Sequence, residues 1–161
     1  MNKTANDEMR LVVLAHNIRS MHNVGSIFRS SECFGVEKIY LTGYTACPPR
    51  REINKVALGA EDIVRWEYSQ EMLPLILELK KSGYEIVALE TTKDSVSISD
   101  AAFSGRVALI LGNEVNGIET DILALSDKVA HIEMKGKKSS LNVSVAAGIA
   151  MYALLCKSNK K

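Results

Sequence analysis

The fold is decided by the stretch Val107-Ala108-Leu109-Ile110-Leu111-Gly112-Asn113-Glu114-Val115-Asn116-Gly117. Five consecutive apolar residues are typical of a short strand that is buried on both faces of a parallel sheet. The glycine-rich turn that follows would then emerge at the carboxyl end of the strand, where open α/β sheets bind ligands. A plain strand-to-helix turn has the same pattern, so both interpretations stay open for this stretch alone.

Further apolar runs of strand length accompany this one. They are Leu11–Ala15, Lys38–Leu41, Ile63–Trp66, Glu85–Leu89 and Val129–Ile132. Most are separated by segments with helical spacing, such as residues 27–31 before Gly35 and 72–79 before Gly83. Strands that alternate with helices predict an α/β fold, with a mostly parallel sheet and helices on both faces.

The C-terminal segment is predicted to be a helix from about Ser139 to Leu155. Its apolar residues recur at helical spacing, at Leu141, Val145, Ile149 and Tyr152. Ser139 or Ser140 is the predicted N-cap, because a serine hydroxyl can accept from the free N–H groups of the first turn. Asn142 would lie in that first turn, where asparagine is a poor helix former, and its presence therefore indicates a function.

Two segments, residues 44–55 and 91–105, do not fit the alternation of strands and helices and are predicted to be loops with short helical turns. In the first, Pro48-Pro49 keeps its neighbours extended, so Arg50, Arg51 and Lys55 are expected side by side in solvent. A basic cluster of this kind is typical both of a solvated loop and of an RNA contact.

Composition limits the class of protein. With 161 residues and 47% hydrophobic residues, the chain fits one domain over residues 1–161. The net charge of +1 excludes a general polycation, so affinity for nucleic acid would have to come from local Lys and Arg clusters. Cys33, Cys47 and Cys156 are widely spaced and odd in number, which favours reduced thiols and a cytoplasmic location.

No segment has the pattern of a signal peptide, and the most apolar one, residues 141–156, is interrupted and too short to span a bilayer. A soluble protein is expected. The run from Lys135 to Ser140 suggests a phosphate-binding loop, but that motif requires Gly at His131 and Ser or Thr at Lys138. A nucleotide hydrolase is therefore disfavoured.

Polar residues at two other places are candidates for chemistry. Asn23, Gly25 and Arg29 lie at the start of the predicted helix after the first strand, and Arg29 is expected close to the helical face of Asn23. The alternative is an N-cap together with a surface arginine. Glu114, in a glycine-flanked loop, is poorly placed for packing and well placed to accept hydrogen bonds from a ligand or an opposing arginine.

Three blocks of sequence in a fixed order now carry a resemblance. They are residues 17–29 (NIRSMHNVGSIFR), 111–117 (LGNEVNG) and 132–146, which ends in Ser140-Leu141-Asn142-Val143-Ser144-Val145-Ala146. The chain resembles the SpoU (TrmH) family of SPOUT-class RNA 2′-O-ribose methyltransferases, in a minimal form with the catalytic domain alone. The resemblance implies a trefoil knot near the C-terminus, a homodimer with active sites at the subunit interface, and bound S-adenosylmethionine.

The resemblance also implies roles for residues of this chain. The implied cofactor pocket uses Leu89, Thr91, Gly112, Ile132, Met134 and Leu141. The implied catalytic residues are Arg29, Asn23, Glu114, Ser140 and Asn142, with no metal. In the family the arginine that matches Arg29 has been proposed as the base. A guanidinium does not readily give up its proton, so we expect Arg29 to clamp a phosphate beside the attacked ribose, with Glu114 orienting Arg29 or the hydroxyl.

The chain departs from the family pattern in two ways. Glu133 stands where the family usually has proline, which is expected to alter the pocket wall, and the separate RNA-binding domain of many members is expected to be lacking. RNA, either tRNA or rRNA, would then be bound by basic residues of both subunits or through a partner protein. These residues are Arg50, Arg51, Lys55, Lys135, Lys137 and Lys138. Two other functions stay open: a knotted dimer that binds RNA and cofactor without activity, and methylation of a base.

Overall fold

The computed structural model describes residues 8–157 of the chain. Its elements, in chain order, are β1 (Arg10–His16), α1 (Met21–Phe34), β2 (Lys38–Thr42), α2 (Arg51–Ala57), α3 (Ala60–Ile63), β3 (Trp66–Ser69), α4 (Met72–Lys81), β4 (Glu85–Leu89), β5 (Val96–Ser97), β6 (Arg106–Leu111), α5 (Thr120–Leu125), β7 (Lys128–His131) and α6 (Val143–Lys157). Within the described residues, no helix has the length and apolar character to cross a membrane.

The strands form one sheet in the order β3-β2-β1-β6-β4-β7-β5, and each pairing between neighbours is parallel. The central strands are β1, β6 and β4. Because the strands run in the same direction, their carboxyl ends lie along one edge. The predicted parallel α/β fold is confirmed, and the segments that follow β1, β4, β6 and β7 all emerge at this edge.

The sheet is covered on both faces. On β1, Leu11, Val13 and Ala15 belong to one buried cluster, together with residues of α1, α2 and α6. Val12 and Leu14 belong to a second cluster, together with residues of α4 and α5. Burial on both faces explains why the central strands are continuous apolar runs instead of alternating ones.

Helix α1 begins at a fixed point beside the carboxyl edge. Ser20 caps it, since its hydroxyl accepts a hydrogen bond from the backbone N–H of Asn23 at 3.2 Å. Gly25 then lets α1 approach α2, because a Cβ there would lie 2.6 Å from the carbonyl oxygen of Ile53. The close packing of α1 holds the side chain of Asn23 at the edge of the sheet.

One prediction of local structure is wrong, and a second is incomplete. Residues 63–66 are not a strand: Ile63 ends α3 and the strand is Trp66–Ser69. Ala60 and Val64 are four residues apart and buried, while Ile63 is 69% exposed. The buried residues of this segment therefore have the spacing of a helix and not of a strand. The segments 44–55 and 91–105 are mainly loops, as predicted, and the start of the short helix α2 agrees with the helical turn expected in the first. The two-residue strand β5, which pairs with β7, was not predicted.

The start of the C-terminal helix also differs from the prediction. Helix α6 begins at Val143, and Ser139 and Ser140 are exposed residues ahead of it. Asn142 is the N-cap: its carbonyl accepts from the N–H of Ala146 at 2.9 Å, and its Oδ1 accepts from the N–H of Ser144 at 2.8 Å. Asparagine is favoured at this position, so its low helix propensity is no sign of function.

Candidate active site

A cavity of about 500 Å³ lies at the carboxyl ends of β4, β6 and β7. All six residues that were expected to form a cofactor pocket line it: Leu89, Thr91, Gly112, Ile132, Met134 and Leu141. Glu114 and Ser140, two of the five expected catalytic residues, line it as well. The parallel sheet thus brings together residues that are up to 52 positions apart in the chain, from Leu89 to Leu141.

The loop after β6 forms one wall of this cavity and closes on itself. The backbone N–H of Asn113 donates to the carbonyl of Gly117 at 3.1 Å, and the N–H of Gly117 donates back at 3.0 Å. A Cβ on Gly112 would lie 2.5 Å from Cγ1 of Ile118 and 2.7 Å from the carbonyl carbon of Gly117. Gly112 is therefore required for closure of the loop itself.

Glu90 connects this loop to the end of β4, and sequence reasoning missed it. Its Oε2 accepts from the N–H of Ile118 at 3.2 Å, and its Oε1 accepts from the N–H of Thr91 at 3.0 Å. Both oxygens thus hold backbone groups of the cavity wall. The signal in the sequence was a carboxylate directly after a buried strand, whereas Glu114 was identified by the glycines that flank it.

Asn113 was not predicted as a site residue either, although it lies between Gly112 and Glu114, which were. It is only 8% exposed, and its amide makes four hydrogen bonds. Oδ1 accepts from the N–H groups of Val115 at 2.9 Å and Asn116 at 2.8 Å. Nδ2 donates to the carbonyl of Asn17 at 2.9 Å and to Oη of Tyr44 at 2.6 Å. A fully satisfied buried amide fixes the loop after β6 against the loop after β1.

The Glu114 carboxylate binds the beginning of α1. Oε2 accepts from the N–H of Arg19 at 2.9 Å, and Oε1 accepts from the N–H of Ser20 at 3.1 Å and from Nδ2 of Asn23 at 3.0 Å. Partial burial alone would raise the pKa of Glu114, but these hydrogen bonds outweigh burial and lower the pKa. The carboxylate therefore orients the segment before α1, and its expected orientation of Arg29 or of the hydroxyl stays a prediction.

Asn142 extends this contact to the third sequence block. Its Nδ2 donates to Oδ1 of Asn23 at 3.1 Å, while Nδ2 of Asn23 donates to Glu114. One chain of side-chain hydrogen bonds thus joins the starts of α1 and α6 to the loop after β6. Three of the five expected catalytic residues, Asn23, Glu114 and Asn142, are brought together in this way.

Arg29 is separate from this group. The prediction that it shares a helical face with Asn23 is wrong, because Asn23 is buried and Arg29 is exposed. Six residues of α-helix rotate a side chain by about 600°, which leaves the two about 120° apart. Arg29 does not line the cavity of its own chain.

Glu133 and the basic residues lie outside the cavity wall. Ile132 and Met134 line the cavity whereas the Glu133 side chain is exposed, and its expected effect on the wall stays a prediction. The six basic residues expected to bind RNA are exposed in two groups, one at the start of α2 and one between β7 and α6. The strands that precede the two groups, β2 and β7, are four strand spacings apart in the sheet, or about 19 Å.

Fold and site together define a class of protein: an open parallel α/β domain whose ligand cavity is built from the loops after β4, β6 and β7. The chain belongs to the SpoU rRNA Methylase family, whose model matches residues 10–152.

Relatives of known identity agree with this assignment. The chain is 35% identical over 143 residues to a tRNA (guanosine(18)-2'-O)-methyltransferase of Aquifex aeolicus, covering 88% of this chain and 67% of that protein. It is 30% identical over 142 residues to the 23S rRNA (guanosine-2'-O-)-methyltransferase RlmB of Coxiella burnetii, covering 88% of this chain and 56% of that protein. The crystal structure of the A. aeolicus TrmH/SpoU tRNA modifying enzyme superposes with a TM-score of 0.83 at 30% identity, over 94% of this chain and 78% of that one.

Replacing Glu114 by Gln tests the hydrogen-bond chain. The amide cannot accept from all three donors, so we expect the free energy of unfolding to fall by about 1 kcal/mol at pH 7, the lower range for a charged acceptor because Glu114 is exposed. The pKa of Glu114 is lowered in the folded state, so its contribution is complete above its ordinary value of 4.5 and is lost as the pH falls through the lowered pKa.

Urea denaturation at a series of pH values measures this effect. The difference between wild type and Glu114→Gln should be constant above about pH 5 and shrink below the ordinary carboxyl pKa. Glu133→Gln, which removes an exposed carboxylate outside the hydrogen-bond chain, should change stability by less than about 0.5 kcal/mol. A difference for Glu114→Gln that does not depend on pH would contradict the assignment.

Proposed function

We propose that the protein is an S-adenosylmethionine-dependent methyltransferase that acts on the 2′-hydroxyl of a ribose in tRNA or rRNA. The observation that carries the proposal is a cavity lined by the second and third sequence blocks of the family, to which Asn23 of the first block is hydrogen-bonded through Glu114. Membership of the SpoU rRNA Methylase family and the named relatives support the reaction type. The relatives include both a tRNA and an rRNA enzyme, so both substrates stay within the proposal.

The cavity fits the proposed cofactor in size and in chemistry. Its volume of about 500 Å³ lies in the range of small-molecule sites. Four apolar side chains, Leu89, Ile132, Met134 and Leu141, provide surface for an adenine ring, and the backbone between them provides donors and acceptors for its edge. Glu90 and Glu114 place carboxylates on the same wall, which suits a cation. When bound there, S-adenosylmethionine supplies a methyl group on a positively charged sulfur.

The protein must orient a ribose and assist loss of the proton from its 2′-hydroxyl. Ser140, an exposed residue on the cavity wall, is positioned to hydrogen-bond a polar group of the ligand or the ribose. Asn23, Glu114 and Asn142 bind one another, so we assign them the positioning of the cavity walls. Their role is to keep the starts of α1 and α6 in place while the ribose is held.

We assign to Arg29 the binding of an RNA phosphate beside the attacked ribose. A guanidinium is a strong bidentate donor to phosphate and a poor base, so the phosphate or water accepts the proton. The exposure of Arg29 suits a contact with a large ligand. Because Arg29 lies outside the cavity of its own chain, we further propose that it acts in the cavity of a second subunit.

A homodimer would provide that second cavity. Val145, Ile149 and Tyr152 lie on one face of α6 and are 51%, 41% and 58% exposed. Beside them, residues of α1 and α6 line a groove of about 480 Å³, and the Phe34 and Tyr152 rings meet edge to face at 6.1 Å. An apolar face with an adjoining groove is typical of a subunit interface. The trefoil knot and the single-domain assignment over residues 1–161 stay part of the same proposal.

Methylation of RNA extracted from cells that lack the gene tests the proposed reaction. Purified protein and labelled cofactor should yield a 2′-O-methylnucleoside in tRNA or rRNA, identified by mass analysis of the digested RNA. A methyl group on a base would favour the alternative of base methylation. Binding of both cofactor and RNA without transfer would favour the inactive binding dimer, and no cofactor binding in calorimetry would contradict both.

Arg29→Ala tests the catalytic arginine. Loss of a charged contact made in the transition state should lower kcat by about 10²-fold or more while the Kd of the cofactor stays nearly unchanged. Arg29→Lys should restore little, because an ammonium lacks the bidentate fork. Arg65→Ala removes an exposed arginine at the opposite edge of the sheet and is the matched control. A wild-type rate for Arg29→Ala would remove Arg29 from the mechanism.

Ile149→Asp tests the dimer. A carboxylate in the centre of an apolar interface should yield monomers in light scattering, because its burial is costly. Since Arg29 would then lack the partner's cavity, turnover should fall by at least about tenfold, which corresponds to about 1.4 kcal/mol. The matched control is Leu77→Asp, a change of a 48% exposed residue on α4 at the other face of the sheet. A monomeric wild type, or a monomeric variant with full activity, would contradict the shared site.

A further inference from the structure

Tyr44 has an exposed ring, but its hydroxyl and its backbone N–H are both hydrogen-bonded. It follows β2 at the carboxyl edge, and 60% of its surface is exposed. Its Oη accepts a hydrogen bond from Nδ2 of the buried Asn113 at 2.6 Å, and its backbone N–H donates to Oδ1 of Asn17 at 3.0 Å. An exposed tyrosine usually rotates freely, but these two contacts hold the ring of Tyr44 in one orientation.

The anchors of Tyr44 are themselves fixed. Asn113 uses its remaining amide groups on the loop after β6 and on the carbonyl of Asn17. Asn17 has a φ of 52° and donates through Nδ2 to Oε1 of Glu119 at 3.1 Å. Because the ring is held in place before any ligand binds, contact with a ligand would cost little side-chain entropy.

The position of the ring relates it to the cavity. Asn113 lines the cavity, so Tyr44 is one hydrogen bond away from the wall where the methyl transfer is proposed. Tyr68, 46% exposed, lies next to it and donates from its hydroxyl to the carbonyl of Gly43 at 2.8 Å. Tyr68 is thus bound to the turn after β2 and not to the cavity wall, so of these two rings Tyr44 is the one linked to the site.

Exposed arginines lie in the two loops that contain Tyr44 and its anchor Asn17. Arg50 and Arg51 follow Tyr44 in the same segment, and Arg19, whose N–H binds Glu114, lies on the neighbouring loop. All three side chains are exposed. Aromatic rings flanked by cations are typical of surfaces that bind single-stranded nucleic acid, where bases stack on the rings and phosphates contact the cations.

We propose that Tyr44 stacks on an unpaired nucleobase of the RNA substrate, at or beside the nucleotide whose ribose is methylated, and that Asn113 holds the ring for this contact. This inference rests on the proposed function and names the form of RNA that the site takes: a nucleotide that is unstacked from its neighbours. A base within an intact helix presents only its edges and cannot cover the ring face. The substrate ribose would thus lie in a loop, a bulge or a single strand.

Substitutions at Tyr44 separate stacking from a structural role. With the full chain and unmodified RNA, Tyr44→Ala should raise the KM for RNA and its Kd in filter binding about tenfold, the lower range for loss of one base–aromatic stack. The cofactor Kd should be unchanged. Tyr44→Trp and Tyr44→Phe keep a ring and should stay within about threefold of wild type. If Tyr44 only anchors Asn113, Tyr44→Phe will be as impaired as Tyr44→Ala and cofactor binding will weaken, which overturns the proposal.

Tyr68→Ala is the matched control, because no hydrogen bond links Tyr68 to a residue of the cavity wall. Its KM should rise less than threefold, and a rise equal to that of Tyr44→Ala would overturn a specific role for Tyr44. A monomeric Tyr44→Ala in light scattering would show that a second copy of the chain covers the ring, and would also overturn the proposal.

The same assays distinguish this proposal from the function on which it rests. Wild-type protein that methylates RNA, with normal KM and Kd in Tyr44→Ala, contradicts the stacking role alone. Wild-type protein that binds RNA without methylating it contradicts the reaction, while the Kd of Tyr44→Ala still decides on stacking. Wild-type protein that neither binds nor methylates RNA contradicts both.

Discussion

The site depends on one carboxylate that accepts hydrogen bonds from another loop. A parallel sheet brings the carboxyl ends of its strands to one edge, but it leaves the conformation of the loops there undetermined. Glu114 supplies the missing constraint, because its two oxygens bind the N–H groups of Arg19 and Ser20 and the amide of Asn23. Through Asn23 the constraint reaches Asn142, the cap of α6. The cavity keeps its shape because these loops bind one another before any ligand arrives.

The same constraint explains why polar residues are concentrated at this edge. Loops of varied backbone conformation carry N–H and C=O groups that no sheet partner satisfies, and burial of such groups without hydrogen bonds is costly. Asn113 and Glu90 satisfy them with side chains from neighbouring loops, as does Glu114. Most of the polar residues at the edge therefore stabilise the walls, and few are left to contact a ligand. In the proposed function, Ser140 on the wall and Arg29 on α1 belong to that smaller group.

The sequence predicted the sheet well because the central strands are buried on both faces, which leaves a simple apolar signal. The prediction failed at β3, which is an edge strand with little burial. The apolar residues Ile63 and Val64, at the end of helix α3, were predicted to be a strand instead. The cavity residues were predicted from the family resemblance, whereas Asn113 and Glu90 were missed because their importance comes from partners distant in the chain. Asn142 was predicted in the first turn of a helix that in fact starts one residue after it. Asn23 and Arg29 were expected near one face of α1, but their side chains point about 120° apart around the helix axis.

Buried and exposed polar residues at the edge have different roles in the proposed enzyme: the buried ones position loops, and the exposed ones contact the substrate. Residues whose hydrogen bonds are satisfied within the chain, such as Asn23 and Asn113, have little capacity left for substrate and set distances between loops. Residues that are held by the backbone or by a single contact, such as Tyr44 and Arg29, present a ring face or a guanidinium to solvent. With a net charge of only +1, long-range attraction to RNA is weak, so binding has to come from short-range contacts at such positions. A rigid ring and a few cations beside a preformed cavity would recognise the shape of an unstacked nucleotide rather than the charge of a long helix.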